Sequence, residues 1–112
     1  MAYTTLEKIK RRLGITTADQ DALLSDILAE VDAEINAFLA PYVQVPVANP
    51  EWLPILDGIE ADWVAGRYRM LVEPASLIGP EGEAKEHALV TDAKRRLRTL
   101  VEAMKSRVVE PV

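Results

Sequence analysis

Residues 18–39, ADQDALLSDILAEVDAEINAFL, decide the fold. Leu24, Ile27, Leu28, Val31, Ile35, Phe38 and Leu39 recur at steps of three and four, the spacing that lines one face of an α-helix. Thr17 stands where an N-cap belongs. Asp19 and Asp21 follow in the first turn, where the helix dipole favours negative charge. Ala40-Pro41 stops the run.

The flanking segments read as shorter units of the same kind. Ahead of the long helix, Thr4 or Thr5 caps a short helix with Leu6, Ile9 and Leu13 on one side and Gly14 as its C-cap. Behind it, residues 43–48, VQVPVA, form an extended arm or one short strand. Asn49-Pro50 then starts a third helix, an asparagine cap followed by proline at the first helical position. That helix runs to about Val72, with Leu56, Ile59, Trp63 and Met70 or Leu71 on its buried side. Pro54 is either tolerated in its first turn or splits off a separate short turn. Gly58 and Gly66 either weaken it or admit a neighbour closely. Residues 73–82, EPASLIGPEG, are loop, with two prolines and two glycines. A fourth helix spans roughly residues 83–107, with Ala88 or Leu89, Ala93, Leu97, Leu100, Val101 and Met104 inward, and the apolar tail 108–112 is extended. The expected fold class is therefore all-α: about four helices, two of them long, packed as a small bundle with an extended arm and loop. At 112 residues this is one domain over residues 1–112.

Composition narrows the function. The chain has no cysteine, which excludes disulfides and thiolate metal sites. No apolar run approaches membrane-spanning length, and the first residues hold no secretory apolar core, so no membrane association is expected. The net charge of −5 argues against coating nucleic acid. Charge is also segregated. Residues 1–13 carry four bases and one acid, residues 18–39 six acids and no base, and residues 84–107 seven bases and three acids. A protomer with separate acidic and basic helices can dock head to tail with its copies, or the helices can attract each other within one chain.

No catalytic constellation emerges. His87 is the only histidine, and with Glu83 one turn away it makes at most two ligands of a metal site, so a surface histidine near a helix start is the simpler reading. Serines and threonines lack an organising elbow, and residues 79–82, GPEG, lack the lysine and spacing of a phosphate loop. No metal and no cofactor is expected. Asp26, Glu30 and Glu34 form an acidic ladder at four-residue spacing, where like charges slightly destabilise a helix. A channel-lining or inter-subunit role therefore suits them better than acid–base catalysis. The cluster Lys94, Arg95, Arg96 and Arg98 spreads over three sides of its helix, and Arg95, Arg96 and Arg98 are candidates for pairing with that ladder on an adjacent subunit. Trp52, Trp63 and Tyr68 serve as core or interface anchors. Val45, Val47, Leu77 and Ile78 have no evident helix face of their own to join and are candidates for contact with neighbouring chains. Val108, Val109, Pro111 and Val112 are candidates for docking on a partner.

Residues 4–39, TTLEKIKRRLGITTADQDALLSDILAEVDAEINAFL, resemble the start of the head–tail connector (adaptor, head-completion) proteins of long-tailed phages. There a short helix ending in Leu-Gly-Ile leads through an acidic linker to a long helix whose far end reads like Ile-x-x-Tyr/Phe-Leu. Residues 40–70, APYVQVPVANPEWLPILDGIEADWVAGRYRM, are similar to a Mu-like virion protein family of the same presumed fold, in which a proline-rich stretch precedes a helix ending in an Arg-Tyr-Arg-like motif. Residues 91–104, TDAKRRLRTLVEAM, are similar to that family's closing helix. The resemblance implies a non-enzymatic structural protein of the virion neck, made in the host cytoplasm. Its subunits would form a homo-oligomeric ring, commonly dodecameric, beneath the portal protein. A downstream neck or tail protein would dock below, and DNA would pass through the channel without specific binding. A small helical protein-binding adaptor or regulatory module is the alternative that the residues themselves leave open.

Overall fold

The computed structural model describes residues 2–72 and 87–108. Four helices follow in order: α1 (Leu6–Leu13), α2 (Asp21–Leu39), α3 (Leu53–Val72) and α4 (Ala88–Val108). There is no strand among the described residues. Helix α3 lies at the centre and packs against each of the other three.

The helix ends follow local chemistry. Thr5, in extended conformation, caps α1 by accepting the Lys8 amide on its hydroxyl at 3.3 Å. Gly14 closes α1 in the left-handed region (φ 71°), its amide bonded to Arg11 O and that of Ile15 to Lys10 O at 2.9 Å. These are the paired bonds of a Schellman ending. Helix α2 starts at Asp21 rather than Ala18, and Thr17 does not cap it. A turn closed by the Asp21 amide on Ala18 O (3.1 Å) takes up the preceding residues, and Asp21 pairs with Lys10 of α1 at 2.8 Å. Asn49 caps a separate turn, accepting the Glu51 amide at 2.9 Å, so α3 proper begins at Leu53 with Pro54 harmless in its first turn. Helix α4 begins at Ala88, later than residue 83, because His87 stands outside it as a cap: its Nδ1 accepts the Leu89 amide at 3.0 Å.

Burial separates the helices into a hub and its surround. Helices α2 and α4 each bury one stripe: Leu24, Ile27, Val31, Ile35 and Leu39 on α2, and Val90, Ala93, Leu97, Leu100, Val101 and Met104 on α4. Helix α3 instead buries Leu56, Ile59, Glu60, Ala61, Trp63, Val64, Ala65 and Gly66, a run covering every side of its middle turns. Expecting a single buried side there was therefore wrong. The small residues Ala61, Ala65 and Gly66 let neighbours approach faces where a larger side chain would hold them off. Phe38, expected inside, is exposed at the edge of the α2 stripe, whereas of the two alternatives on α3 Met70 packs against the core and Leu71 is exposed.

The arm is not free either. Val47 is buried in the core, and Val43 and Val45 pack against it. The premise that Val45 and Val47 lack an intrachain partner fails because this segment packs on the helical core, where the Val47 amide donates to the Tyr3 hydroxyl. Its Val45–Pro46 peptide is cis.

A polar network ties the N-terminal segment into this core. Glu60, fully buried on α3, accepts the Tyr3 and Thr4 amides on one oxygen at 2.7 and 2.9 Å. The Tyr3 hydroxyl donates to Asn36 of α2 and accepts the Val47 amide of the arm at 2.8 Å. The second oxygen of Glu60 and Oδ1 of Asp32 on α2 are both buried with no other partner among the described residues. One proton between the two carboxyls satisfies both, whereas two bare carboxylates would repel. Burial, reinforced by the hydrogen bond to Asp32, pushes the Glu60 carboxyl up to about 8 from its ordinary 4.5.

Two predictions follow from this core. A Cβ on Gly66 would lie 2.7 Å from Val90 Cγ2 and 3.0 Å from the Val90 backbone nitrogen, and the β-branched valine has little rotamer freedom to withdraw. Gly66→Ala should therefore lower stability by about 1 kcal/mol net, overpacking outweighing the gain in helix propensity. Gly58→Ala, whose Cβ meets only Arg96 Nη1 at 3.8 Å, should raise it by about 0.5–1 kcal/mol. Thermal melts of the two variants read this difference directly. For Glu60, the folded chain keeps its proton up to about pH 8, whereas the unfolded chain releases it near 4.5. Unfolding thus releases a proton between those values, and this contribution to stability is full below 4.5 and is lost as pH rises to about 8. Denaturant titrations should show wild type losing stability across that window relative to Glu60→Gln, whose amide keeps the hydrogen bonds without a titrating proton.

Candidate assembly surfaces

Helix α2 carries its acidic ladder toward α3 at one end and toward solvent at the other. Glu34 makes a two-point ion pair with Arg67 of α3, one contact being 3.1 Å, and this bond to Arg67 holds its carboxyl below the usual range. Glu30 reaches the same guanidinium only at 4.0 Å, and Asp26 has no ion-pair partner among the described residues. The three residues thus do not act as one unit. Glu34 is engaged within the chain, while Asp26 and most of Glu30 are left to solvent. Arg67, which the spacing along α2 gave no reason to single out, is what divides them.

The basic cluster divides similarly. Arg96 bonds to Asp62 of α3 and pairs with Asp92 at 3.0 Å, so it is spent in holding α4 to the hub. Asp62 also takes Arg12 of α1 at 2.6 Å, so one carboxylate of α3 holds both α1 and α4. Lys8 of α1 pairs with Asp57 one turn earlier on α3. Burial alone would raise the Asp57 carboxyl, but hydrogen bonds from Lys8 and Thr4 and the charges of Lys8 and Arg12 together outweigh it and hold it below its ordinary value. Arg95 has only the exposed Asp92 one turn away, a contact of little energetic weight. Arg98 is exposed and has no ion-pair partner among the described residues.

Arg98 edges a groove of about 460 Å³ between α2 and α4, with Trp63 of α3 and Leu97 in its wall beside Ala37 and Phe38. Lys94 lies over the Trp63 ring at 5.5 Å, and Lys105 lies over the Tyr42 ring at 4.9 Å in the adjoining depression. The face combines aromatic surface with positive charge. Expecting Phe38 in the core concealed this groove; its position at the margin of the α2 stripe was the available signal.

Among the other candidates, Val47 and Val45 sit against the chain's own core, so the outward residues of the arm are Gln44, Pro46 and Ala48. Val108 ends α4. Leu77, Ile78, Val109, Pro111 and Val112 lie outside the described residues. Glu60 was also missed as a structural residue: residues 53–66 hold three acids, Asp57, Glu60 and Asp62, and nothing in their spacing singles out the buried one. No group of three or more metal-ligating side chains occurs among the described residues, and no described helix is long and apolar enough to cross a membrane.

A family model described as phage gp6-like head–tail connector protein matches residues 3–59. That span holds α1, α2, the arm and the first turns of α3, from the tyrosine that joins α2 to the arm up to the residue before Glu60. No curated protein and no solved structure matches the chain. The matched family is one of structural proteins rather than enzymes. With more than half of the chain matched and the all-α architecture that its sequence called for, the chain belongs to the phage gp6-like head–tail connector protein family.

Proposed function

We propose that the chain is a structural subunit of the virion neck that assembles with its own copies into a closed ring between portal and tail. The ring continues the DNA channel, with the portal protein above and a neck or tail protein below. The observation that carries this reading is the connector-family match over residues 3–59. Charge supports it in two ways. A net charge of −5 suits a conduit that must let DNA pass without holding it. The acids on α2 and bases on α4 that α3 leaves unpaired are different surfaces of one protomer, as the head-to-tail contacts of a ring require.

Disruption of the gene tests this in the phage that encodes it. Electron microscopy of lysates should show DNA-filled heads and separate tails, with joined particles restored when the chain is supplied from a plasmid. Joined, infectious particles that lack the chain would contradict the proposal.

A further inference from the structure

Among the described residues, nothing covers the outer face of the first half of helix α2. Ala22, Asp26, Ala29 and Ala33 follow at steps of three and four and are all exposed, with Glu30 beside them. Alanines on such a stripe let another surface come close to the helix axis, and the two acids give it a negative charge. The groove between α2 and α4 has the complementary character. Its wall holds Phe38, Trp63 and Leu97 beside Glu34, whose charge Arg67 takes; Arg98 lies at its edge with no ion-pair partner among the described residues, and Arg95 stands nearby in an exposed, weak pair.

The geometry points to the acidic, alanine-lined face of α2 on one copy as the occupant of the aromatic, cationic groove between α2 and α4 on the next. This rests on the ring proposed above and names the surfaces that close it. The stripe centres on Ala29 in the first half of α2, whereas the α2 residues of the groove lie at its far end, so one copy uses its two surfaces for two different neighbours. Asp26 and Glu30 then meet Arg98 and Arg95, and the alanines lie over Phe38. DNA is a poorer occupant, because apolar walls offer nothing to a phosphate backbone while they favour a helix with short side chains. Like-charge repulsion at four-residue spacing along the ladder is relieved once a cation from the neighbour lies between the carboxylates.

The chain has no cysteine, so introduced thiols are unambiguous reporters. Virions assembled with a chain carrying both Ala29→Cys and Thr99→Cys, two exposed positions in the stripe and beside the groove, are treated with a short bis-maleimide. The expected result is a ladder of covalent multimers from the double variant and only monomer from either single variant. Arg98→Glu should reduce the ladder to the single-variant background, and adding Asp26→Lys with Glu30→Lys should restore it. A chain present in the particles but not linked, or linked equally well through one cysteine, overturns docking in the groove and leaves the connector role standing. A chain absent from the particles overturns the connector role and this inference with it.

Discussion

Burial of the middle turns of α3 is the constraint on which the molecule depends. Apart from Asp62, residues 59–66 are all buried, and Glu60 among them has no solvent to turn to. The carboxyl is tolerated because each oxygen has a use. One takes two backbone amides that would otherwise be orphaned in the N-terminal segment, and the other shares a proton with Asp32. The same residue therefore joins three parts of the chain: the segment before α1, helix α2 and the hub. Tyr3 extends the connection to the arm by accepting the Val47 amide. Replacing such a group by an apolar one would strand the amides, which explains why a charge-capable residue is tolerated at a fully buried position.

Around this hub the ion pairs sort the charges that the chain presents to others. Asp57 and Asp62 of α3 bind bases from α1 and α4, and Arg67 binds the last acid of the α2 ladder. Much of the segregation of acids on α2 and bases on α1 and α4 is therefore compensated through α3 inside one chain. On the two surfaces that face outward, and among the described residues, Asp26 of α2 and Arg98 beside the groove have no ion-pair partner, while Glu30 has only a 4.0 Å approach to Arg67 and Arg95 only its exposed pair with Asp92.

The four helices were legible because their apolar residues recur at helical spacing and because Thr5 and Gly14 carry their capping chemistry in their own side chain or lack of one. Two features were not. The start of α2 depends on a backbone turn and on Lys10 reaching Asp21, neither of which a local pattern encodes. The arm looks unpartnered in sequence because its partners, the packed core and the Tyr3 hydroxyl, come together only once the helices have packed. The candidate surface was partly legible for the same reason. Exposed acids and bases could be read from the helices, but which of them remain free was decided by Asp62 and Arg67, residues of a helix that showed no single outward face.

The central claim is that Glu60 fastens the N-terminal segment to the hub. Amide hydrogen exchange at Tyr3 and Thr4 measures this directly, since those two N–H groups precede α1 and are bonded to the Glu60 carboxyl alone among the described groups. In the wild-type chain both amides should exchange as slowly as those of the α3 core, opening only with the whole fold. Exchange of Tyr3 and Thr4 at the rate of an unstructured chain, while the α3 amides stay protected, would contradict the account.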